Sequence, residues 1–282
     1  MLVSAGWAQV RPAITGVAFV RVYSSDAAAS AKFYGGQLGY DHAGHSGLGR
    51  YRVNAAQWIE VVAMPSPEPT AKVAAIGFTT RDVAGLEKYI KAKGVAIVKP
   101  LKAGRFGVHD PEGRLVEFVQ QEAEQKKLSP RAGSHRIIHT GFTVKDRDVE
   151  DKFYKELLGF KPYWFGGRKE GQLDYVSLQV PEGTDWVEYM LGTSAKANAH
   201  QLGSSNHISL GVAHIEDAVA ALQRNGCMGA DCTNTHIGRN GTMQLNVFDP
   251  DLTRVEYMEF DPRQTPCCSP FTGPHPTEEE SH

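Results

Sequence analysis

The chain has 282 residues and a formal net charge of −2, and 41% of its residues are hydrophobic. This length suits one large domain or two of ordinary size, and the apolar content is enough for a full core. The sequence has no basic stripe and no apolar run near the roughly 20 residues of a membrane span. Nucleic acids and membranes are therefore excluded as expected partners. We expect a small-molecule substrate, with homodimer formation left open.

The two ends of the chain carry little structural signal. Residues 1–9 are mildly apolar but lack the Lys or Arg of a complete signal peptide, which predicts a disordered leader on a cytoplasmic protein. Export through a truncated signal is the alternative. Residues 262–282 contain several prolines and an acidic run, which predict a loose tail.

The chain is organised by an internal repeat. Residues 26–40 contain Lys-Phe-Tyr and then Leu-Gly-Tyr, and residues 146–160 contain Lys-Phe-Tyr and then Leu-Gly-Phe at an offset of 120. Residues 109–118 and 248–257 also correspond, because both carry Asp-Pro and end in Val-Glu followed by an aromatic residue. The chain is therefore a duplication of roughly 120–140 residues, and each half holds two similar units.

Each unit has the pattern of one strand, one helix and three further strands. In the third unit, residues 137–144 alternate at period two and predict a strand. Asp146 can cap the helix that follows. The apolar stripe of this helix consists of Val149, Phe153, Leu157 and Leu158. Four βαβββ units predict an α+β fold, with the domain boundary in the polar linker of residues 121–135.

Two histidines and two glutamates occupy symmetric positions in the second half. Within each pair, 49 positions separate the histidine from the glutamate: His139 from Glu188, and His207 from Glu256. Strand alternation puts all four on the face away from the helices, for example with His139 opposite Ile138. Buried carboxylates are costly unless they are paired or ligated, and a mixed N and O set suits Zn, Ni, Mn, Co or Fe. The quartet predicts one divalent metal per chain.

The first half serves as an internal control for this prediction. At the repeat offset, Phe19 stands in the place of His139 and Ala75 in the place of His207. Glu60 and Glu117 remain, but two carboxylates without imidazoles are a weak transition-metal site. The first half is therefore expected to be metal-free.

The repeat and the quartet together resemble the vicinal oxygen chelate superfamily, which includes glyoxalase I and the extradiol dioxygenases. The motifs that carry the resemblance are Phe153-Tyr154, Leu158-Gly159, Asp249-Pro250, Val255-Glu256 and the strand-borne His139 and His207. The resemblance implies paired βαβββ modules that form curved mixed sheets in two glyoxalase/dioxygenase-like domains. These would be a metal-free domain at residues 14–122 and a metal-binding domain at residues 136–261.

The quartet is most similar to that of bacterial glyoxalase I. This resemblance implies a lyase or isomerase that acts through a metal-chelated enediolate, with Glu188 or Glu256 as the catalytic proton shuttle. Glyoxalase I holds glutathione with an Arg and an Asn at the positions of Thr143 and Gly192. The likeness to glyoxalase I therefore extends to the metal chemistry and a small oxygenated substrate, and not to glutathione.

The extradiol dioxygenases are the alternative within the superfamily. Their two-His, one-Glu metal set corresponds to His139, His207 and Glu256. Asn246 stands where these enzymes have a tyrosine, and His236 is adjacent to the position of a further histidine. A fourth ligand at Glu188 would crowd out dioxygen or catechol, which argues against this alternative.

A non-catalytic small-molecule binding protein is a third hypothesis, and the intact quartet argues against it. The residues expected to contact a substrate are Thr143, Trp186, His200, His236 and Asn246. The cysteines are few and occur late in the chain, which favours free thiols over a disulfide framework. They are Cys227, Cys232, Cys267 and Cys268.

Overall fold

The structure is a computed structural model that describes residues 10–44, 48–121 and 127–278. The expected leader of residues 1–9 lies outside the described residues. Over the described ranges, the chain forms two mixed sheets of eight strands each with a few short helices. This architecture confirms the predicted α+β class and its duplicated organisation.

The first half supplies strands β1 to β8. They are β1 (Ile14–Ser24), β2 (Asp41–His42), β3 (Gly49–Arg52), β4 (Trp58–Ala63), β5 (Val73–Thr80), β6 (Ile97–Lys102), β7 (Arg105–His109) and β8 (Leu115–Gln120). Its helices are α1 (Ala27–Ala31), continued by a π-helical segment (Lys32–Gln37), and α2 (Val83–Ala92).

The second half repeats this order. Its strands are β9 (Ile137–Thr143), β10 (Lys161–Gly166), β11 (Tyr175–Gln179), β12 (Trp186–Met190), β13 (His207–Val212), β14 (Thr235–Ile237), β15 (Met243–Phe248) and β16 (Arg254–Glu259). Its helices are α3 (Arg147–Asp151), continued by a π-helical segment (Lys152–Leu157), α4 (Ala199–Ser205), α5 (Ile215–Arg224) and a 3₁₀ turn (Ala230–Cys232).

The strand order is the same in both sheets. It is β2-β3-β4-β1-β5-β8-β7-β6 in the first and β10-β11-β12-β9-β13-β16-β15-β14 in the second. In each sheet, the two units join through antiparallel pairing of their first strands, β1 with β5 and β9 with β13. The third and fourth units therefore pair with each other within this chain, which the sequence had left open.

The start of the first helix in each half follows from local chemistry. Asp26 and Asp146 cap α1 and α3 by accepting hydrogen bonds from backbone N–H groups of the first turn. The predicted apolar stripe of α3 is wrong at one position, because Val149 is exposed and the neighbouring Glu150 is buried instead. The repeated Leu-Gly sequence also has a conformational reason: Gly159 has φ +79°, a left-handed conformation that favours glycine after a helix.

The helix-covered faces of both sheets contribute to one hydrophobic cluster. Phe78 of β5 packs edge-on against Phe160 of the second half, with ring centroids 5.2 Å apart. Two reciprocal contacts accompany this packing. The Tyr34 hydroxyl donates to the Asp249 carboxylate (2.8 Å), and the Tyr154 hydroxyl donates to Asp110 (3.3 Å). The repeated Phe-Tyr and Asp-Pro motifs therefore meet across the two halves.

A bulge resets the alternation in the first strand of each half. His139 pairs with Ser209 and Ile137 pairs with Leu210, so Ile138 is one extra residue. Ala18 is the corresponding extra residue in β1, which has further irregularities. Ile137 lies in the common core, whereas Ile138 belongs to a separate small cluster with Trp186. The expectation that Ile138 lies opposite His139 is therefore wrong.

The described part of the tail is packed, in contrast to the loose tail expected from its composition. The Thr272 N–H donates to the Tyr163 carbonyl (2.9 Å), and the Phe271 ring contacts the Tyr163 ring with centroids 4.9 Å apart. His275 Nδ1 lies 2.7 Å from the Tyr163 hydroxyl. The partly buried side chains of Phe271 and His275 therefore attach the tail to Tyr163 of β10.

The cysteines also differ from the prediction. All four lie in the described part of the chain and form two disulfides, Cys227 with Cys232 and Cys267 with Cys268. Cys227 and Cys232 are both buried against the common core. The prediction of free thiols is therefore wrong, because cysteines that are five residues and one residue apart form disulfides although these spacings matched no familiar motif.

Glu150 generates a testable prediction about stability. Burial and the nearby Asp110 carboxylate raise the pKa of Glu150 to about 8, above the usual 4.5. An acid whose pKa is higher in the folded state stabilises the fold below its unfolded pKa, and that contribution is lost as pH rises through about 8. Glu150→Gln should therefore raise the apparent melting temperature at pH 8.5 by at least about 2 °C and leave it nearly unchanged at pH 4.5.

Differential scanning fluorimetry at both pH values measures this effect. Glu156→Gln is the matched control, because Glu156 follows on the same helical segment but is exposed. An equal gain at both pH values, or an equal gain in the control, would contradict the prediction.

Candidate metal centre

The four predicted ligand residues lie on the four adjacent central strands of the second sheet. His139 is on β9, Glu188 on β12, His207 on β13 and Glu256 on β16. Register brings them together across Gly141, which pairs with both Glu188 and His207. A Cβ added at Gly141 would stand 1.9 Å from the His207 ring, so this close approach requires glycine. We call this face of the second sheet the C-terminal cup.

Three of these side chains form a compact His-His-Glu triad. The ligand atoms of His139, His207 and Glu256 all lie within 4.8 Å of one another. The two Nε2 atoms are 3.0 Å apart, and His139 Nε2 is 3.4 Å from Glu256 Oε2. Glu188 stands beside the triad, with its Oε2 3.5 Å from His207 Nε2. All four predicted residues therefore converge, three of them as one set.

The protonation states favour a cation at this position. Burial, followed by the charge of Arg254, lowers the pKa of His139 and of His207 well below the usual value, so both imidazoles are neutral. Burial and the adjacent Glu256 raise the pKa of Glu188 to about 8. Neutral imidazole is the form that ligates metals, and the two buried carboxylates are compensated in part by Arg254, whose Nη1 lies 3.5 Å from Glu256 Oε1.

The donor geometry also fits a divalent metal. Two nitrogen ligands that are each about 2.1 Å from one ion and at right angles to each other lie roughly 3.0 Å apart. The His139–His207 Nε2 separation is 3.0 Å. At this distance a proton on one Nε2 can be donated to the other, and its loss frees both lone pairs for a metal. The triad therefore fits the group that the sequence predicted.

Sequence reasoning missed Arg254, which stands in the same site. Its Nη2 lies 2.8 Å from His207 Nδ1, and its Nη1 lies 3.5 Å from Glu256 Oε1. Arg254 is two residues before Glu256 on β16, so strand alternation could have placed it in the cup. A guanidinium can only donate, so this contact favours the proton of His207 on Nε2. Burial and the charge of Arg254 lower the pKa of His207, and a hydrogen bond to the main chain of Ser204 acts in the opposite direction.

Aromatic side chains support the triad. The Trp186 ring stacks on the His139 ring, with centroids 4.6 Å apart and planes 22° from parallel. The Tyr163 ring also packs against the Trp186 ring, with centroids 5.1 Å apart. This cluster excludes water from one flank of His139 and holds its ring in one orientation. Trp186 is thus a buried support for a predicted ligand.

A cavity of about 330 Å³ opens onto the two glutamates. Its lining contains His236, Arg239 and Arg254 together with Glu188 and Glu256. The aromatic and remaining side chains of the lining come from Trp164, Tyr175, Met190, Ile237, Asn240, Gln244 and Met258. His236 therefore lines the same cavity as the two glutamates.

Three other predicted pocket residues are not among the described side chains that line this cavity. The Thr143 carbonyl accepts a hydrogen bond from Arg114 at the end of β9 (3.0 Å). His200 packs on Phe248, with ring centroids 4.4 Å apart. Asn246 pairs with Glu256 across β15 and β16, and its buried Oδ1 has no hydrogen-bond partner within the described residues.

The equivalent face of the first sheet, which we call the N-terminal cup, carries an ion cluster instead of imidazoles. Arg21 bridges Glu60 (2.6 Å) and Glu117 (2.7 Å), and Arg105 also contacts both carboxylates (3.0 and 3.3 Å). Burial alone would raise the pKa of Glu60 and of Glu117, but the arginines outweigh burial and lower both values. Arg21 occupies the repeat position of Gly141.

Comparison with known proteins agrees with this architecture. The family model of the Glyoxalase/Bleomycin resistance protein/Dioxygenase superfamily matches residues 16–118 and 136–257. The chain belongs to this superfamily. No curated protein matches the chain. Among the described residues, no helix is both long and apolar enough to cross a membrane.

Solved structures of superfamily members have the same fold. Homoprotocatechuate 2,3-dioxygenase from Brevibacterium fuscum, in complex with 3,4-dihydroxyphenylacetate, is 18% identical with a TM-score of 0.66. The match covers 89% of this chain and 82% of that one. The E323L mutant of the same enzyme gives 18% identity and a TM-score of 0.68, with coverage of 94% and 74%. The fold of this chain therefore resembles that of this enzyme over most of its length.

The geometry of the triad predicts the effect of removing either imidazole. His139→Ala or His207→Ala should lower the metal content of purified protein by at least about tenfold, because each variant removes one of three converging ligands. Inductively coupled plasma mass spectrometry after dialysis against one equivalent of Zn²⁺ or Mn²⁺ measures this. His200→Ala is the control, since His200 packs on Phe248 outside the triad. Unchanged metal content in both triad variants would refute the assignment.

Proposed function

We propose that the C-terminal cup binds one divalent metal through His139, His207 and Glu256 and catalyses a lyase or isomerase reaction. The substrate is a small molecule with two adjacent oxygens. The observation that carries the proposal is the position of Glu188. It lies 3.5 Å from His207 Nε2 but outside the compact triad, so three groups can hold the ion while a fourth carboxyl remains for proton transfer.

When bound, the metal would supply the Lewis acidity that makes a carbon acid beside a carbonyl acidic enough for a carboxylate base. Glu188 then removes the proton from that carbon and returns it to the neighbouring atom, which is isomerisation, or assists departure of a leaving group, which is lyase chemistry. The wall formed by Trp186 and Tyr163 keeps water from one flank of the site. Exclusion of water strengthens the electrostatic contacts within it.

The lining of the cavity limits the substrate. A volume of about 330 Å³ admits only a small molecule. Arg239 and Arg254 contribute two guanidinium groups, while Trp164 and Tyr175 stack with centroids 6.4 Å apart. We therefore infer a small oxygenated substrate that carries an anionic group, with an apolar or planar portion against the aromatic wall.

An extradiol-type ring-cleaving dioxygenase is the second candidate, and one observation favours it. His236 lines the same cavity as Glu188 and Glu256, so an imidazole is available next to the triad even though its sequence position is shifted by one residue. Two histidines and one carboxylate with open positions are also the ligand set of many non-haem Fe(II) oxygenases. Against this candidate, Glu188 flanks the triad and Asn246 stands opposite Glu256. The non-catalytic binder has no comparable support, because it gives no role to the triad.

The proposed role of Glu188 predicts a separation of chemistry from metal binding. Glu188→Gln should retain metal within about twofold and lose roughly 10²–10⁴-fold in proton exchange, because the amide cannot act as a base. The assay is α-proton exchange of small 2-hydroxy ketones and 2-keto aldehydes in D₂O, followed by proton NMR on Zn²⁺- and Ni²⁺-loaded protein. Glu170→Gln, an exposed carboxylate change, is the control. Loss of metal together with exchange would make Glu188 a ligand and contradict this role.

Oxygen uptake separates the second candidate from the first. A dioxygenase loaded anaerobically with Fe(II) should consume dioxygen with catechol or 3,4-dihydroxyphenylacetate and form a coloured ring-cleavage product. His236→Ala should lower that uptake by at least about tenfold, while His200→Ala should not. An electrode trace without uptake, from protein shown to contain Fe(II), would exclude the dioxygenase candidate. The first candidate predicts that result.

A further inference from the structure

The N-terminal cup contains a second cavity, with a volume of about 300 Å³. It lies on the face of the first sheet that corresponds to the metal centre of the second sheet, since its lining includes Trp58 and Glu60, the repeat counterparts of Trp186 and Glu188. The proposed metal chemistry gives this cavity no role. Its composition indicates what it can bind.

The lining is strongly cationic. Four cationic side chains, those of Arg50, Arg52, Lys102 and Arg105, face this cavity together with the single carboxylate of Glu60. Glu60 is already bound by Arg21 (2.6 Å) and Arg105 (3.0 Å), so it does not neutralise the others. The whole chain has a net charge of −2, which makes the local excess of positive charge a property of this cavity.

Two of these cations are available to a ligand. Among the residues that the structure describes, no carboxylate forms an ion pair with Arg52 or Lys102. The remaining lining provides small apolar side chains at Ala55, Ala56 and Val119 and the amide of Gln121, whereas the Thr79 hydroxyl and the Gln120 amide already bond to neighbouring groups. A ligand would therefore meet both positive charge and apolar surface in this cavity.

The cationic wall is held in place by aromatic rings. The Arg50 guanidinium lies 3.8 Å from the centre of the Trp58 ring, and that of Arg105 lies 4.5 Å from the centre of the Phe19 ring. Trp58 stacks on Phe19, with planes 17° apart, and donates its indole N–H to Glu60 (3.0 Å). Guanidinium groups fixed in this way lose little conformational entropy when they bind an anion, and their fork geometry matches a carboxylate.

We propose that the N-terminal cup is a binding site for a small organic anion, specifically a mono- or dicarboxylate of about three to six carbons. Arg52, Lys102 and Arg105 hold the carboxylate, and Ala56 and Val119 contact the carbon chain. A divalent metal is not the ligand, because Arg21 and Arg105 already compensate both carboxylates and repel a further cation. This site is independent of the chemistry proposed for the C-terminal cup.

Isothermal titration calorimetry on EDTA-treated full-length protein tests the proposal, with malonate, succinate and adipate as probes in low-salt buffer. Inorganic phosphate and chloride are the comparison anions. We expect saturable binding of at least one carboxylate. The double variant Arg52→Gln/Lys102→Gln should weaken that binding by at least about tenfold, because it removes two of the charged contacts. The melting temperature of the variant, measured in parallel, should stay close to that of the wild type, since neither side chain pairs with a carboxylate in the described chain.

Two controls locate the site. Lys88→Gln removes one positive charge from the exposed surface of α2 and should leave the affinity unchanged. His139→Ala alters the C-terminal cup and should also leave it unchanged. Four outcomes would overturn the proposal: no binding of any carboxylate, equal binding of phosphate or chloride, equal weakening by Lys88→Gln, or loss of binding in His139→Ala but not in the double variant.

Discussion

Both halves of this protein bury the helix-covered face of a curved sheet in one common hydrophobic core. The rest of the structure depends on this packing. Once the aliphatic side chains of each strand point into that core, the alternate residues have to point into the opposite cup. The core also explains why the halves stay together, because Phe78 meets Phe160 inside it. Burial of apolar surface is the dominant favourable contribution to folding, so it sets the orientation of every strand that carries a functional residue.

The bulges at Ala18 and Ile138 change this alternation directly before Phe19 and His139. Each bulge inserts one residue before the position that carries the first metal-ligand candidate or its counterpart, and so changes which side chain faces the cup. Bulges are frequent beside active sites because they re-aim a single side chain without breaking the sheet. In the second half, the result is a His139 ring that stacks on Trp186 and meets His207.

The two cups show two ways to keep a pair of carboxylates buried on the same scaffold. In the first half, Arg21 and Arg105 provide the positive charge, and the site becomes a closed ion cluster. In the second half, Gly141 replaces the arginine position and leaves room for the His207 ring. Buried carboxylates without a cation are strongly disfavoured, so loss of the arginine demands another source of positive charge. Arg254, which contacts His207 Nδ1 and Glu256, supplies part of that charge, and the metal that we propose would supply the rest.

The sequence by itself determined the duplication, the four βαβββ units and the convergence of His139, Glu188, His207 and Glu256, because repeat offsets and strand alternation are local regularities. Only the tertiary structure decided that Glu188 stands outside the compact triad, that Arg254 reaches His207 and that His236 lines the cavity. It also decided the disulfides and the packed tail. Apart from the two disulfides, which join near neighbours, these features depend on contacts between residues far apart in the chain and on bulges that shift register by one residue, so periodicity alone cannot specify them.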